Sequence, residues 1–207
     1  MGLLKGKKAF ITGAEQGIGK ESAKKLIEAG CDIYIHYFSG DEGPRELMAL
    51  AEQQGCRAAC GFADLTNEED AAHCVAQAAE FLGGIDILVN NVGGIISRKW
   101  LGEIEPHFWR TVIDVNMTTM LNVTQQALPW LKDAPDGASI VNLASLAGRS
   151  GGHAGSLVYS TTKGAVLTWT RSLAAELGEH GIRVNAVAPG LILGCLLYTS
   201  DAADDRI

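Results

Sequence analysis

TGAEQGIG, residues 12–19, stands between a short apolar run, Lys8–Thr12, and an amphipathic stretch, Gly17–Ala29. The apolar run predicts a β-strand, and the amphipathic stretch predicts an α-helix that ends before Gly30. Glycines between the two elements allow a sharp turn, so that backbone N–H groups approach a bound pyrophosphate at the start of the helix. Because the spacing is T-G-x3-G-x-G rather than G-x-G-x2-G, the stretch alone also fits a purely structural turn.

The same alternation of strand and helix continues along the chain. Further predicted strands are Asp32–Phe38, Arg57–Ala63, Ile85–Asn90, Ala138–Ala144 and Arg183–Ala188. Further predicted helices are Arg45–Gln54, Glu68–Leu82, Phe108–Leu131 and Leu157–Leu177. Strands that are apolar on both faces are typical of a parallel sheet with helices on both sides. We therefore expect an α/β fold with a doubly wound parallel sheet, a Rossmann fold, in a single domain, with ligands at the carboxyl ends of the strands.

The composition of the chain argues against nucleic-acid and membrane partners. The 207 residues include 47% hydrophobic and 20% charged residues, a balance typical of a globular domain. The net charge of −7 argues against nucleic-acid binding, which needs a basic face. No apolar stretch approaches the roughly 18 residues of a membrane span, so no membrane partner is expected.

Cysteine usage bears on location and on metal binding. Five cysteines and the lack of a signal peptide over Met1–Lys8 favour reduced thiols and a cytoplasmic location. Cys56 and Cys60 form a C-x3-C pair, but no fourth ligand follows at a zinc-like spacing. We therefore predict no metal site.

Tyr159 and Lys163 lie four residues apart on a predicted helix and therefore share one face. The reference pKa of tyrosine, about 10, is too high for acid–base work at neutral pH, and a nearby ammonium group lowers it. Ser145 follows the fifth predicted strand, where its hydroxyl can hold a substrate oxygen as charge develops. The spacing of Tyr159 and Lys163 on its own is common, and also fits a surface tyrosine beside a solvated lysine.

Six ordered motifs together resemble the classical short-chain dehydrogenases/reductases. They are TGAEQGIG, Asp64-Leu65, Asn90-Asn91-Val92-Gly93, Asn116 within DVN, Ser145 with Tyr159-x3-Lys163, and Pro189-Gly190. Two departures stand out. Val92 replaces the family's alanine, and Ser145 precedes Tyr159 by one residue more than in many members, which the glycine-rich loop 148–156 can absorb.

The resemblance implies an NAD(P)-dependent oxidoreductase that transfers hydride between a nicotinamide and a small-molecule carbonyl or alcohol. Tyr159 would be the general acid/base, Lys163 would tune it and bind the nicotinamide ribose, and Ser145 would orient the substrate oxygen. Asn116 would hold a water that links Lys163 to solvent. The residues expected to bind the cofactor are Gly13, Gln16, Gly17, Ile18, Gly19, Ser39, Asp64, Leu65, Asn91, Gly93, Tyr159, Lys163, Pro189 and Gly190.

The substrate class stays open between several interpretations. The resemblance favours a 3-oxoacyl-type reductase, with a sugar or alcohol dehydrogenase of the same family as the alternative. A sugar-nucleotide epimerase of the extended branch fits the glycine spacing less well. From another class, the chain would be a nicotinamide-binding sensor or an inactive fragment, although a sensor would not need Ser145, Tyr159 and Lys163. Residues 94–100 and 147–158 are expected to line the mouth of the pocket.

The end of the second strand bears on the choice of cofactor. An acid there would bind the ribose hydroxyls of NAD and repel the 2′-phosphate of NADP. No acid stands near Tyr37, which favours NADP, with Ser39 offering a hydroxyl to the phosphate. NAD remains the alternative, because no Arg or Lys stands nearby and Asp41 and Glu42 follow closely.

Residues 195–207, CLLYTSDAADDRI, have no period of a strand or helix. They match the translation of a common transposase-based sequencing adapter, and a natural short C-terminus is the alternative. We therefore expect an incomplete domain over residues 1–194, without the family's last strand and substrate lid, followed by a non-native tail. The resemblance implies a homotetramer or homodimer for a full-length parent, through the helices around 108–131 and 157–177 and through the last strand, a contact that this chain would lack.

Overall fold

Six parallel strands form one sheet in the order β3-β2-β1-β4-β5-β6 in a computed structural model that describes residues 2–192. The strands are β1 (Lys8–Ile11), β2 (Asp32–Tyr37), β3 (Ala58–Phe62), β4 (Ile87–Asn90), β5 (Ala138–Leu143) and β6 (Ile182–Val187). This order confirms the doubly wound parallel sheet. The predicted domain end at residue 194 and the tail 195–207 lie outside the described residues.

Helices cover the two faces of the sheet. They are α1 (Gly17–Glu28), α2 (Glu42–Gln54), α3 (Glu68–Leu82), α4 (Pro106–Ile113), α5 (Thr119–Lys132), the short α6 (Ala147–Ser150) and α7 (Leu157–Leu177). Single 3₁₀ turns occur at Leu101–Glu103 and Gly178–His180. Successive strand residues point to opposite faces. Phe10 therefore packs with α3 and α5, whereas Ala9 and Ile11 pack with α1 and α2.

The edge strand β6 departs from the predicted pattern. The central strands β1 and β2 are buried along almost their whole length, as expected of strands covered on both faces. In β6, by contrast, Ile182 and Val184 are buried while Arg183 and Asn185 are exposed. Helix α7 packs against one face of β6, so only that face needs apolar side chains.

The predicted helix Phe108–Leu131 is wrong as a single element. Helix α4 passes into a π-helical turn at Asp114–Thr118, and α5 begins at Thr119. The side-chain amide of Asn116 donates to the carbonyl oxygen of Val112, 2.9 Å away, where the helix widens. Such single-turn widenings occur frequently at functional sites.

Helix α2 begins at Glu42, three residues before the predicted start at Arg45. Pro44 lies in its first turn. Proline is tolerated there because first-turn N–H groups have no acceptor within the helix. Pro44 is therefore compatible with the earlier start of α2.

A ladder of buried polar side chains fixes the carboxyl ends of β4 and β5. The side-chain amide of Asn90 donates to Oδ1 of Asn142, 2.9 Å away, and to Oγ1 of Thr124 on α5, 3.1 Å away. The amide of Asn142 donates in turn to Oγ1 of Thr170 on α7, 3.0 Å away. The ladder therefore links two strands to α5 and α7, which pack on the same face of the sheet.

His36, in β2, joins the loop after β1 to the turn after β3. Its Nδ1 atom accepts a hydrogen bond from the backbone N–H of Gly13, and its Nε2 atom lies 3.0 Å from the carbonyl oxygen of Ala63. Only a neutral ring with its proton on Nε2 makes both bonds. Burial lowers the pKa of His36, which favours this neutral form.

Acidification should therefore weaken the fold through His36. Since the folded-state pKa is lowered, the unfolded chain binds more protons below its own histidine pKa of about 6.5, and stability is lost as pH falls. We expect His36→Leu to reduce the free energy of unfolding by about 1–3 kcal/mol at pH 7.5 by leaving Gly13 N–H unpaired. Urea unfolding should show a smaller difference between the two proteins at pH 5.5.

His73→Gln is the matched control, because His73 is exposed on α3. The difference in free energy of unfolding between His73→Gln and the wild type should be the same at both pH values. If the difference in free energy of unfolding between the wild type and His36→Leu were as large at pH 5.5 as at pH 7.5, the role given to the neutral ring would be contradicted.

Candidate active site

A cleft of about 950 Å³ opens at the carboxyl ends of the strands. The neighbours of β1 are β2 on one side and β4 on the other, which is the switch point where ligands bind in such sheets. All but two of the sequence-predicted site residues line the cleft. Those that line it are Gly13, Gln16, Gly17, Ile18, Gly19, Asp64, Leu65, Asn91, Gly93, Ser145, Tyr159, Lys163, Pro189 and Gly190.

The glycine loop packs against α1 at backbone distance. A Cβ atom at Gly19 would lie 2.2 Å from the carbonyl oxygen of Gly13, so only glycine fits at residue 19. Asn91 donates from its side-chain amide to the same carbonyl, 2.7 Å away. Oγ1 of Thr12 accepts from the backbone N–H groups of Asn91 and Val92. These bonds tie the loop to the segment that follows β4.

The start of α1 faces this loop. Gln16 precedes the helix in an extended conformation, and its side chain does not cap the first turn. The first N–H groups of any helix lack intrahelical acceptors and carry a partial positive charge. The uncapped first turn of α1 and the close packing of Gly13 on Gly19 together fit the pyrophosphate of a dinucleotide.

Ser145, Tyr159 and Lys163 meet in the cleft. Lys163 is 4% exposed, and its Nζ atom lies 5.9 Å from the centre of the Tyr159 ring. Nζ donates to the carbonyl oxygen of Leu143, 2.7 Å away at the end of β5. Burial lowers the pKa of Lys163 from 10.5 to about 8. A fraction of this lysine can therefore exchange a proton near neutral pH.

The hydroxyl of Ser145 has a fixed position. Its Oγ atom accepts a hydrogen bond from the backbone N–H of Ala147, 3.1 Å away, at the start of the short helix α6. That bond uses the oxygen as acceptor and leaves the O–H group to donate. A substrate oxygen in the cleft would meet this donor.

Asn116 lies behind the cleft and does not line it. Its side chain is 1% exposed; the amide donates to the carbonyl oxygen of Gly94, and Oδ1 accepts from the N–H of Gly94, 3.1 Å away. A Cβ atom at Gly93 would lie 2.7 Å from Oδ1 of Asn116 and 2.8 Å from Nζ of Lys163. Asn116 therefore holds the 93–94 turn against Lys163, and its predicted role in holding a water stays a prediction.

Asp64 and Leu65 form one wall of the cleft after β3. Oδ1 of Asp64 accepts from both the backbone N–H and the hydroxyl of Thr66, at 3.0 and 2.6 Å. The side-chain amide of Asn122 donates to the carbonyl oxygen of Leu65, 3.1 Å away. These bonds fix the acidic turn, which the family resemblance assigns to the adenine ring of the cofactor.

Ser39 does not line the cleft, contrary to its predicted contact with the cofactor. Its hydroxyl donates instead to Oε1 of Glu15, 3.3 Å away. Glu15, from the glycine loop, lines the cleft and reaches the end of β2, where the sequence showed no acid. Sequence reasoning missed both Glu15 and His36. The available signals were an acid inside the glycine turn and a histidine inside an otherwise apolar strand.

The predicted mouth of the pocket is largely wrong. Of residues 94–100, only Gly94 and Ile96 line the cleft, and none of residues 147–158 does. The two loops bond to each other instead, because Lys99 N–H donates to the carbonyl oxygen of Gly155, 3.0 Å away. Side chains from α4, α5 and the π-helical turn line the cleft in their place. They are Thr111, Asp114, Val115 and Thr119.

Ile96 has a backbone conformation that β-branched residues rarely adopt. Its φ of 62° is the only positive value at a non-glycine residue in the described part of the chain. Such conformations persist only where the surroundings enforce them, and they cluster at functional sites. Ile96 is therefore held over the cleft by its loop rather than by its own preference.

Residues 2–192 contain no group of three or more His, Cys, Asp or Glu side chains placed to hold a metal ion. No helix in this range has the length and apolar character needed to cross a bilayer.

Known proteins similar to this chain fall in one family. The family profile described as short chain dehydrogenase matches residues 7–203. The chain is 36% identical over 202 residues to the uncharacterized oxidoreductase YhxC of Bacillus subtilis, a match that covers 98% of this chain and 70% of that protein. It is 35% identical over 204 residues to a 3-oxoacyl-(acyl-carrier-protein) reductase of Staphylococcus aureus, with 97% and 79% covered.

Solved structures agree with the sequence relatives. The NADH-dependent reductase A1-R′ responsible for alginate metabolism, also solved with NAD, superposes with a TM-score of 0.87 at 31% identity. That match covers 90% of this chain and 78% of the reductase. A short chain dehydrogenase from Burkholderia cenocepacia, in complex with NADP, gives a TM-score of 0.84 at 34% identity, with 90% and 75% covered. The chain therefore belongs to the short-chain dehydrogenase/reductase family of NAD(P)-dependent oxidoreductases.

Proposed function

We propose that this oxidoreductase reduces the carbonyl group of a 3-oxoacyl substrate, with Tyr159 as the general acid. The observation that carries the proposal is the meeting of Ser145, Tyr159 and the buried Lys163 in the cleft that also contains the glycine loop. The 3-oxoacyl-(acyl-carrier-protein) reductase relative supports the substrate class. Apolar side chains in the cleft also favour an acyl chain; they are Ile96, Val115, Leu191 and Ile192.

The nicotinamide, when bound, supplies hydride in reduction and accepts it in oxidation. The glycine loop and the start of α1 would hold its pyrophosphate, and the Asp64 turn would hold the adenine end. Tyr159, Lys163, Gly93 and the Pro189-Gly190 turn would hold the nicotinamide end. Ser39 would act on this group only through Glu15, because it does not line the cleft.

Residues of the chain itself would supply the proton that the substrate carbonyl oxygen gains. The O–H group of Ser145 donates to the substrate carbonyl oxygen and stabilises the charge that develops there. Tyr159 transfers its hydroxyl proton to that oxygen. The charged Lys163 stabilises the phenolate that forms on Tyr159. The hydrogen bond from Lys163 Nζ to the carbonyl oxygen of Leu143 holds the lysine in position.

A second candidate is the reduction of a sugar-derived carbonyl. The reductase A1-R′ supports this alternative, because it acts in alginate metabolism and shares the fold at 31% identity. The same three residues would act on either substrate. Turnover of a 3-oxoacyl thioester compared with a keto-sugar acid, at equal concentrations, separates the two candidates.

We expect Tyr159→Phe to lower kcat by roughly 10²–10⁴-fold, the usual contribution of general acid catalysis. The nicotinamide Kd should change little, because only a hydroxyl is removed. Steady-state kinetics with a 3-oxoacyl thioester and calorimetric titration of the cofactor measure the two quantities. Tyr34→Phe is the control, because it removes the same hydroxyl from a core tyrosine that bonds Gln77. Substantial turnover by Tyr159→Phe would exclude the assigned role.

The pH profile of reduction should report Lys163. A cation whose pKa is lowered to about 8 loses its charge as pH rises through that value. We therefore expect kcat/KM, which reflects the free enzyme, to fall above pH 8. Lys163→Met should abolish turnover at every pH. A wild-type profile that stayed flat up to pH 10 would contradict the need for the charged lysine.

We also propose that copies of the chain associate through α4, α5 and α7 as a homodimer or homotetramer. Trp109, Trp130 and Leu157, one on each helix, are large apolar side chains that are more than a third exposed. A second copy would cover such area. Light scattering at micromolar concentration should give a mass of two or four chains, and a monomer mass would contradict this proposal.

A further inference from the structure

The carboxylate of Glu15 lies at the end of β2, although Glu15 belongs to the glycine loop. Its Oε1 atom accepts from the backbone N–H of Phe38, 3.4 Å away, and from the hydroxyl of Ser39, 3.3 Å away. Its Oε2 atom is buried and has no hydrogen-bond partner among the described residues. A buried carboxylate oxygen is unfavourable unless a donor reaches it. Because Glu15 lines the cleft, a ligand hydroxyl that approaches the end of β2 could supply such a donor.

Backbone packing fixes the position of Glu15. A Cβ atom at Gly43, in the first turn of α2, would lie 1.9 Å from the carbonyl oxygen of Glu15. On the other side, the N–H of Ala14 donates to the carbonyl oxygen of His36, 3.0 Å away. The backbone of the loop is therefore held between α2 and β2, at a place from which the Glu15 side chain reaches the strand end.

No cation in the described part of the cleft offsets this charge. Lys163 is the only Lys or Arg that lines it, and it lies beside Tyr159. Nearer to Glu15 along the chain, Lys20 is paired with Glu46, and Arg45 is paired with Asp41. Asp64 and Asp114 add two further acids to the same cleft.

We propose that Glu15 makes the protein select NAD over NADP. Its carboxylate accepts hydrogen bonds from the hydroxyl groups of the adenosine ribose and repels a 2′-phosphate at the same place. The inference rests on the proposed placement of the dinucleotide in the cleft. The sequence-based preference for NADP rested on the absence of an acid near Tyr37, whereas this acid reaches the strand end from the loop.

The test compares the wild type, Glu15→Gln and Glu42→Gln. The glutamine variant keeps the shape of Glu15 and removes its charge. Glu42 is exposed at the start of α2 and does not line the cleft, so Glu42→Gln removes one nearby negative charge as a matched control. Calorimetry would give Kd for NAD and NADP, and for 5′-AMP and 2′,5′-ADP, which differ by the 2′-phosphate. Circular dichroism and melting would verify the fold.

We expect the wild type to bind NAD at least about 10-fold more tightly than NADP, the size of one charge-assisted hydrogen bond. Glu15→Gln should reduce this preference by about 10-fold, chiefly through tighter NADP binding. The 5′-AMP and 2′,5′-ADP pair should change in parallel, and Glu42→Gln should leave both ratios unchanged. Glu15→Ser should shift the ratio in the same direction, which keeps the test valid if the glutamine variant does not fold.

The outcomes separate this inference from the proposed function. A wild type that prefers NADP, or a ratio that neither Glu15 variant changes, overturns the role of Glu15 while leaving the reductase proposal intact. A shift of equal size in Glu42→Gln also overturns it, because the effect would then come from net charge alone. A folded wild type that binds neither dinucleotide overturns the proposed function together with this inference.

Discussion

The geometry of the cleft depends on Gly13, whose two backbone polar groups join the strands on either side of β1. Its N–H donates to the His36 ring in β2, and its carbonyl oxygen accepts from the Asn91 side chain after β4. The same carbonyl touches the backbone of α1 at Gly19. Because β2 and β4 flank β1 at the switch point of the sheet, one residue sets the positions of both halves of the cleft.

Those halves differ in charge and in origin. The half that contains Lys163 comes from β5 and α7 and carries the cation, whereas the half that contains Glu15 and Asp64 comes from the turns after β1 and β3. The proposed proton transfer and the proposed choice of dinucleotide therefore use different segments of the chain. A change in one half leaves the other intact as long as the hydrogen bonds of Gly13 are kept.

The strands and most helix ends followed from the sequence because apolar periods and glycine stops are local signals, as at Glu68–Leu82. The sequence also predicted that Ser145, Tyr159 and Lys163 lie near the glycine loop, because parallel strands have their carboxyl ends at one edge of the sheet. Three features did not follow from apolar periods or glycine stops. Glu15 reaches the strand end through its side chain, the loops at Lys99 and Gly155 bond to each other, and Asn116 interrupts a helix whose apolar period continues.

The π-helical turn at Asp114–Thr118 determines how α4 and α5, the two parts of one long helical segment, are rotated relative to each other. Phe108 and Val112, before it, pack with Val158 in a small cluster, whereas Val123 and Ala127, after it, pack in the main core. One residue of an α-helix corresponds to a rotation of about 100°. A π-helical turn contains one residue more than an α-helical turn, so a single-residue deletion within 114–118 would leave a regular α-helix with α5 still facing the sheet. The same deletion within α4 or α5 would instead rotate the residues beyond it by that angle. Single-residue length changes in this helix should accordingly occur at the π-helical turn.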